Sequence, residues 1–347
     1  MLTDKQIKEI QTFLEKSINP LFLYDDDLDG ICSYILLKKK YQKGYGVPVK
    51  GVPVIDISYL KKVEESFPDL IVILDKAIVD QDFVDGCQLP IIWIDHHPPI
   101  IRKNVHYYNS RNNNSEIPTT GLCYQITKQD LWIAMLGCLS YAYIPEFYNE
   151  FQKQYQNLLP ENPEIRIIYT KTKFGELIKK CSMLIKGKTA EVRSTINILM
   201  RVESPYEILE NQSPQGKYLA KRAEKFLKEY NELLEEAKKN KTKDKVFLFL
   251  YNAKRTSFTS ELSNDLIYTY PNKIIIIGRI NGENVKLSFR SSEINLADII
   301  ERALIGIRGY GGGHDHACGG CIILNDFNRF MDNFTNLISE EISKNKK

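Results

Sequence analysis

Short stretches apolar at nearly every position constrain this sequence most: Leu21 to Tyr24 (LFLY), Val52 to Ile55 (VPVI), Leu70 to Leu74 (LIVIL) and Pro90 to Ile94 (PIIWI). A strand that is apolar at successive positions is buried on both faces, which is the habit of a parallel sheet covered by helices. The segments between them, such as Ile31 to Tyr41 (ICSYILLKKKY), are long enough for helical crossovers. The pattern predicts an α/β fold whose N-terminal domain is an open, doubly wound parallel sheet.

The rhythm then changes. Thr119 to about Tyr143 turns helical, and helical spacing continues with interruptions to about Leu209. Gly216 to Lys243 reads as one long amphipathic helix. Beyond it, VFLFLYN (246–252), KIIIIGRI (273–280) and NVKLSFRSS (284–292) read as strands. The Gly-rich segment RGYGGGHDHACGGC then precedes a last strand and helix. The predicted organisation is an N-terminal domain over 1–145, a helical subdomain over 146–215, a connector helix over 216–245 and a smaller α/β domain over 246–347.

The 47 Lys and Arg against 44 Asp and Glu leave a net charge of +3, so nucleic-acid contact would have to come from local basic patches. Basic and aromatic residues suited to single strands are Arg102, Lys103 and Arg111, then Arg279, Arg290, Arg302 and Arg308, with Tyr107, Tyr108 and Tyr310 for stacking. The apolar runs fall far short of the roughly 20 residues a membrane span needs. The polar start (MLTDKQIKEI) has no signal-peptide run, and the seven cysteines are an odd set, so a cytoplasmic, reducing location is expected. Trp93, Trp132 and the scattered Cys32, Cys87, Cys123, Cys138 and Cys181 are expected in cores. Cys318 and Cys321 beside His314 and His316 lack the distant second ligand pair of a zinc site.

The chemistry lies at the strand ends, where ligands of open α/β sheets bind. Asp25, Asp26, Asp27, Asp29 and Gly30 (DDDLDG) follow the first run, Asp75 follows LIVIL, and Asp95, His96 and His97 close PIIWI. Crowded carboxylates repel, and a divalent cation relieves them. Asp27 and Asp29 would point to one side if their segment were extended. Mixed imidazole and carboxylate donors suit Mn²⁺ first, with Mg²⁺ or Zn²⁺ as alternatives, and one or two ions. Lys76 is read as a solvent-facing lysine, the alternative being that its ammonium neutralises the acidic rim.

YDDDLDG followed by ICS, then ILD, then IDHHPP, resembles motifs I to III of the DHH phosphoesterase superfamily, and SFRSS with GGGHDHACGG resembles the DHH-associated C-terminal domain of RecJ-like exonucleases and oligoribonucleases. The resemblance spans 21–141 and 246–325. It implies Asp27, Asp29, Asp75 and His96 as metal ligands with Asp75 bridging, His97 near the scissile phosphate and Asp95 orienting the histidines. It also implies substrate binding by Ser288, Arg290, Ser291, Gly311, Gly312, Gly313 and His314. Two positions depart from the family. Asp25 stands where motif I has a histidine, a ligand swap that Mn²⁺ accepts, and Tyr141 of GCLSY stands where motif IV has an aspartate.

The expected activity is metal-dependent hydrolysis of single-stranded DNA, RNA or short oligonucleotides to nucleoside monophosphates. The alternative is a RecJ-like scaffold or nucleic-acid-binding subunit that has lost catalysis and works with replication-protein partners.

Overall fold

The computed structural model describes residues 1–50, 54–240 and 242–344. They form two compact units, Met1–Arg222 and Ala223–Lys347.

The first unit opens on α1 (Asp4–Lys16), started by a capping box between Thr3 and Gln6. Alternation follows: β1 (Pro20–Asp25), α2 (Leu28–Tyr41), β2 (Tyr45–Val49), β3 (Val54–Ile55), α3 (Leu60–Ser66), β4 (Leu70–Leu74), β5 (Ile78–Val79), α4 (Gln81–Gly86), β6 (Ile91–Asp95) and β7 (His106–Asn109). Five of these strands make a wholly parallel sheet in the order β2-β1-β4-β6-β7. On one face Leu21, Leu23, Ile71, Ile73 and Trp93 pack with Phe83 and Val84 of α4 and with Leu60 and Val63 of α3. Helices α2, α5 (Thr119–Thr127) and α6 (Leu131–Ser140) pack together, with α2 against β1 and α5 against β6. The domain is doubly wound as its apolar runs require.

The second strand differs from expectation. Val52 and Pro53 lie outside the described residues, while Val54–Ile55 pairs with β5 in a separate two-stranded sheet. The strand beside β1 is β2 (YGVPV), which carries Pro48 and is an edge strand, the place where a missing N–H is tolerated.

Helices α7 (Tyr148–Gln154), α8 (Ile165–Lys171), α9 (Lys173–Leu184), α10 (Thr189–Leu199) and α11 (Pro205–Leu209) complete this unit. The boundary between the units falls inside α12 (Pro214–Lys239), whose Leu219, Ala223, Phe226, Tyr230, Leu233 and Ala237 form one buried stripe.

The second unit contains β8 (Val246–Asn252), α13 (Thr259–Thr269), β9 (Ile274–Asn281), β10 (Asn284–Arg290), α14 (Leu296–Ala303), β11 (Gly309–His314), β12 (Ala317–Ile323) and α15 (Phe327–Lys344). Its sheet runs β11-β12-β10-β9-β8 over a core that includes Ile276, Phe289, Ile300 and Phe330. The Gly-rich segment, expected to precede the last strand, itself supplies β11 and the start of β12 as a β-hairpin. Glycine lowers strand propensity enough to hide such a hairpin from pattern reading.

Candidate metal centre at the strand ends

The chain leaves β1 to one side for β2 and then crosses back to the other side for β4, so the sheet's switch point lies between β1 and β4. Register brings the chemistry level. Tyr24 pairs with Leu74 and Leu74 with Ile94, so the next residue of each strand line, Asp25, Asp75 and Asp95, reaches the same rim.

Local geometry then sorts the carboxylates. Helix α2 begins at Leu28, so Asp27 and Asp29 do not share an extended segment. Asp27 is the helix cap, its Oδ1 accepting from Gly30 N at 3.0 Å, and Asp29 lies in the first turn. Gly30 is required because a Cβ there would stand 2.5 Å from the Asp25 carbonyl oxygen. Asp75 has φ 59°, a left-handed conformation that turns the chain sharply at the end of β4.

Asp75 is shared by three groups of donors, each with its ligand atoms within 4.8 Å of one another: Asp29, Asp75 and His96; Asp25, Asp27 and Asp75; and Asp75, Asp95 and His97. Asp29, Asp75, Asp95 and His96 are buried, His97 and Asp25 are half-buried, and Asp27 is exposed. His96 Nε2 lies 3.2 Å from Asp75 Oδ1 and 3.6 Å from Asp29 Oδ2. His97 Nδ1 lies 2.7 Å from Asp95 Oδ1, and Asn109 Nδ2 donates to Asp95 Oδ2 at 3.2 Å. The Arg111 Nε–H donates to the His96 carbonyl at 2.9 Å.

Electrostatics follow from burial. Desolvation raises the Asp29 carboxyl to about 7, with Asp75 adding to the rise and His96 opposing it. Asp25 is raised to about 6, again mainly by burial, with Lys76 opposing. Asp75 goes the other way: burial pushes it up, but the hydrogen bond and charge of His96 outweigh that and hold it well below the usual range. Burial disfavours the His97 imidazolium, yet Asp95 lifts it to about 9.

The donor set passes a chemical test for a divalent cation. It joins hard carboxylate oxygens to one imidazole, which fits Mn²⁺ or Mg²⁺. Burial raises Asp29 and Asp25, so each carboxylate is costly to keep charged without a cation beside it.

Two contributors escape pattern reading. At the start of α5, Thr119 and Thr120 donate their N–H groups to the two oxygens of Asp29 at 3.0 and 2.6 Å, and the Thr119 hydroxyl donates to Asp75 Oδ1 at 2.9 Å. A TT pair opening an apolar helix was the available signal. Lys76 corrects the solvent-facing expectation: it is 1% exposed and its Nζ lies 3.0 Å from Asp25 Oδ1. Tyr141 ends α6 with its ring edge-on to His96, centroids 4.5 Å apart, and burial keeps its phenol neutral.

Several basic and aromatic candidates are committed elsewhere. Tyr108 is buried, Tyr107 stacks on Trp93 at 4.0 Å, and Arg102 Nε–H donates to the Val79 carbonyl. Arg279 donates to the carbonyls of Arg255 and Ala253, and Arg302 and Arg308 pair with Asp298 and Asp326. Tyr310 is exposed. Trp93, Trp132, Cys32, Cys123, Cys138 and Cys181 are buried as expected, whereas Cys87 is half-buried behind the short helix α4.

In the second unit Arg290 ends β10, its Nε–H donating to Asn264 Oδ1 at 2.7 Å, and Ser288 Oγ lies 3.4 Å from Ser260 Oγ. The Ser291 hydroxyl accepts from Ile294 N, a turn contact. Gly311, Gly312, Gly313 and His314 lie on β11, an edge strand of the sheet. A Cβ on Gly312 would meet nothing within 4 Å, whereas one on Gly311 would stand 2.9 Å from Ile300 and one on Gly313 2.6 Å from the Ala317 carbonyl, so the edge is open at Gly312.

Fold and rim define a class: an α/β protein with a carboxylate- and histidine-rich switch point and a separate glycine-edged sheet. Residues 21–159 match the DHH family N-terminal domain and 239–340 match the DHHA1 domain. The chain belongs to the DHH superfamily, with a DHHA1 domain at its C-terminal end. Its fold is similar to that of RecJ from Thermus thermophilus in complex with Mn²⁺, at 12% identity and TM-score 0.70, covering 98% of this chain and 55% of that one. The chain thus spans about half the length of that protein. A manganese-bound exonuclease RecJ matches at 13% identity and TM-score 0.58, over 96% of this chain and 94% of the other. CDC45 from Entamoeba histolytica matches at 10% identity and TM-score 0.53, over 95% and 98%. No curated protein matches the chain. Among the described residues no helix is long and apolar enough to cross a membrane.

Proposed function

We propose that the chain is a metal-dependent phosphodiesterase that releases nucleoside monophosphates from single-stranded nucleic acid or short oligonucleotides. One observation carries the reading: Asp75 belongs both to the Asp29–His96 group and to the Asp25–Asp27 group, the arrangement of a carboxylate that serves adjoining cation positions. A bound Mn²⁺ or Mg²⁺ would polarise a phosphoryl oxygen and make water a nucleophile at neutral pH.

The chain's own groups do the rest. Asp29, Asp75 and His96 would hold the cation, with Asp25 and Asp27 beside them. Asp95, fixed by Asn109, keeps His97 charged and oriented, so that its imidazolium faces developing negative charge and donates a proton to a departing oxygen. In the DHHA1 domain we place the phosphate at the edge strand of Gly311, Gly312, Gly313 and His314, where Gly312 is open, with Arg290 lending charge and Ser288 and Ser291, both buried, shaping the end of β10 behind it. The domain limits 1–145, 146–215, 216–245 and 246–347 belong to the same proposal, as does a cytoplasmic setting.

Release of mononucleotides from 5′- and 3′-labelled single-stranded DNA and RNA, with Mn²⁺, Mg²⁺ or EDTA and beside Asp75→Ala, tests it. Metal-dependent release that Asp75→Ala abolishes is expected. Retained strand binding without cleavage of any substrate would favour the second reading, a non-catalytic subunit working with replication proteins. The pairing of the buried Lys76 ammonium with half-buried Asp25 is the observation on that side.

A further inference from the structure

The Asp25–Asp27–Asp75 group has a cation of its own. The Lys76 ammonium is almost wholly enclosed and 3.0 Å from Asp25 Oδ1. An enclosed ammonium is sustained only by a fixed partner, which distinguishes this pair from a surface ion pair. Two features hold it there. The left-handed turn at Asp75 buries Asp75 and Lys76 in succession at one rim. The Lys76 carbonyl accepts from Trp93 Nε1 at 2.9 Å, and Trp93 is locked in the sheet core.

The pair also occupies a ligand atom. Asp25 Oδ1 accepts from Lys76 Nζ and from Asp26 N at 2.9 Å, so this oxygen is already committed to an ammonium and an amide. A divalent ion beside Asp25 would face repulsion from the enclosed ammonium 3.0 Å from the same carboxylate. The Asp29–Asp75–His96 group differs: the donors to its carboxylates from α5 are the neutral N–H groups of Thr119 and Thr120 and the Thr119 hydroxyl. These donors orient the oxygens without supplying charge.

We propose that Lys76 is an internal counter-ion standing in for one of two divalent cations, so that the rim binds a single ion, at Asp29, Asp75 and His96. The inference rests on the metal-dependent reading above and narrows it to a mononuclear centre.

Mn²⁺ stoichiometry of the full chain by titration calorimetry, with electron paramagnetic resonance of the loaded protein, tests it without any activity measurement. One ion per chain with the signal of an isolated Mn²⁺ is expected. Lys76→Met keeps the length of the buried stem and removes the charge, and should bind a second ion and give a spin-coupled signal. Lys76→Gln provides a polar replacement if the methionine variant does not fold, with circular dichroism reporting the fold of each. A coupled pair in the unaltered chain overturns the counter-ion role while leaving the metal reading intact. A folded variant that still binds one ion overturns it too. No bound ion in the unaltered chain overturns the metal reading and this inference together.

Discussion

Individual side chains at the rim divide into those that would meet a cation and those that hold them in place. Thr119 belongs to the second kind, joining Asp29 through its N–H and Asp75 through its hydroxyl. Thr119→Val keeps the shape and removes only the hydroxyl bond. Such outer partners typically contribute 10–100-fold in metal affinity, so Mn²⁺ binding measured by calorimetry should weaken by about that factor while the fold persists. Asp69, at the opposite end of β4, has a purely structural role. It accepts from the Ser17 hydroxyl and from Ile18 and Asn19 N–H, joining the segment before β1 to the start of β4. Burial opposes the charged form, but these hydrogen bonds win and hold the carboxyl below the ordinary aspartate value. Its stabilisation is therefore complete above the ordinary aspartate range and is lost as pH falls through the depressed value. Asp69→Ala should cost about 1 kcal/mol in denaturant melts near neutral pH, and the difference from the parent should vanish in acid.

At the scale of elements, the candidate centre depends on how closely α5 and α6 approach. A Cβ on Gly137 of α6 would stand 2.2 Å from Thr120 Oγ1, and Thr120 also donates its hydroxyl to the Asp29 carbonyl. Gly→Ala in a helix interior ordinarily stabilises by roughly 1 kcal/mol. Here overpacking reverses the sign, and Gly137→Ala should destabilise by about 1–3 kcal/mol in urea unfolding, together with weaker Mn²⁺ binding as Thr120 shifts. The central strands were legible in the sequence because LFLY, LIVIL and PIIWI are buried on both faces, and only a parallel sheet asks for that. The edge strands β2 and β7 were not: Pro48 breaks the apolar run of one, and the other begins at exposed His106. The glycine hairpin β11–β12 escaped for a related reason, since its order comes from pairing with β10 rather than from local preference.

For the whole molecule, the rim's residue types could be read in sequence but their division into overlapping groups could not. Asp25, Asp27, Asp29, Asp75, Asp95, His96 and His97 all mark strand ends, yet Asp27 as a helix cap and Asp29 as a buried first-turn residue are consequences of where α2 starts. Lys76 was misjudged because burial of a lysine is set by a turn at Asp75 that no local pattern announces. Ligand linkage offers a global check. Mn²⁺ at 100 times its dissociation constant should stabilise the unit that binds it by about 2.7 kcal/mol. A thermal melt should show that rise, EDTA should reverse it, and Asp75→Ala should abolish it. Arg290→Ala should leave the Mn²⁺-dependent rise intact while weakening oligonucleotide binding and flattening its salt dependence.

Trp93 draws these scales together. Its indole lies in the sheet core, donates to the Lys76 carbonyl and stacks on Tyr107, whose hydroxyl lies 3.3 Å from Asp95 Oδ2. The chain has two tryptophans, and this one touches the turn that carries the buried ammonium and, through Tyr107, is linked to the partner of His97. The protein therefore contains its own fluorophore at the centre. In a Trp132→Phe background, emission from Trp93 alone would follow occupancy of the rim in real time, with no label and no turnover.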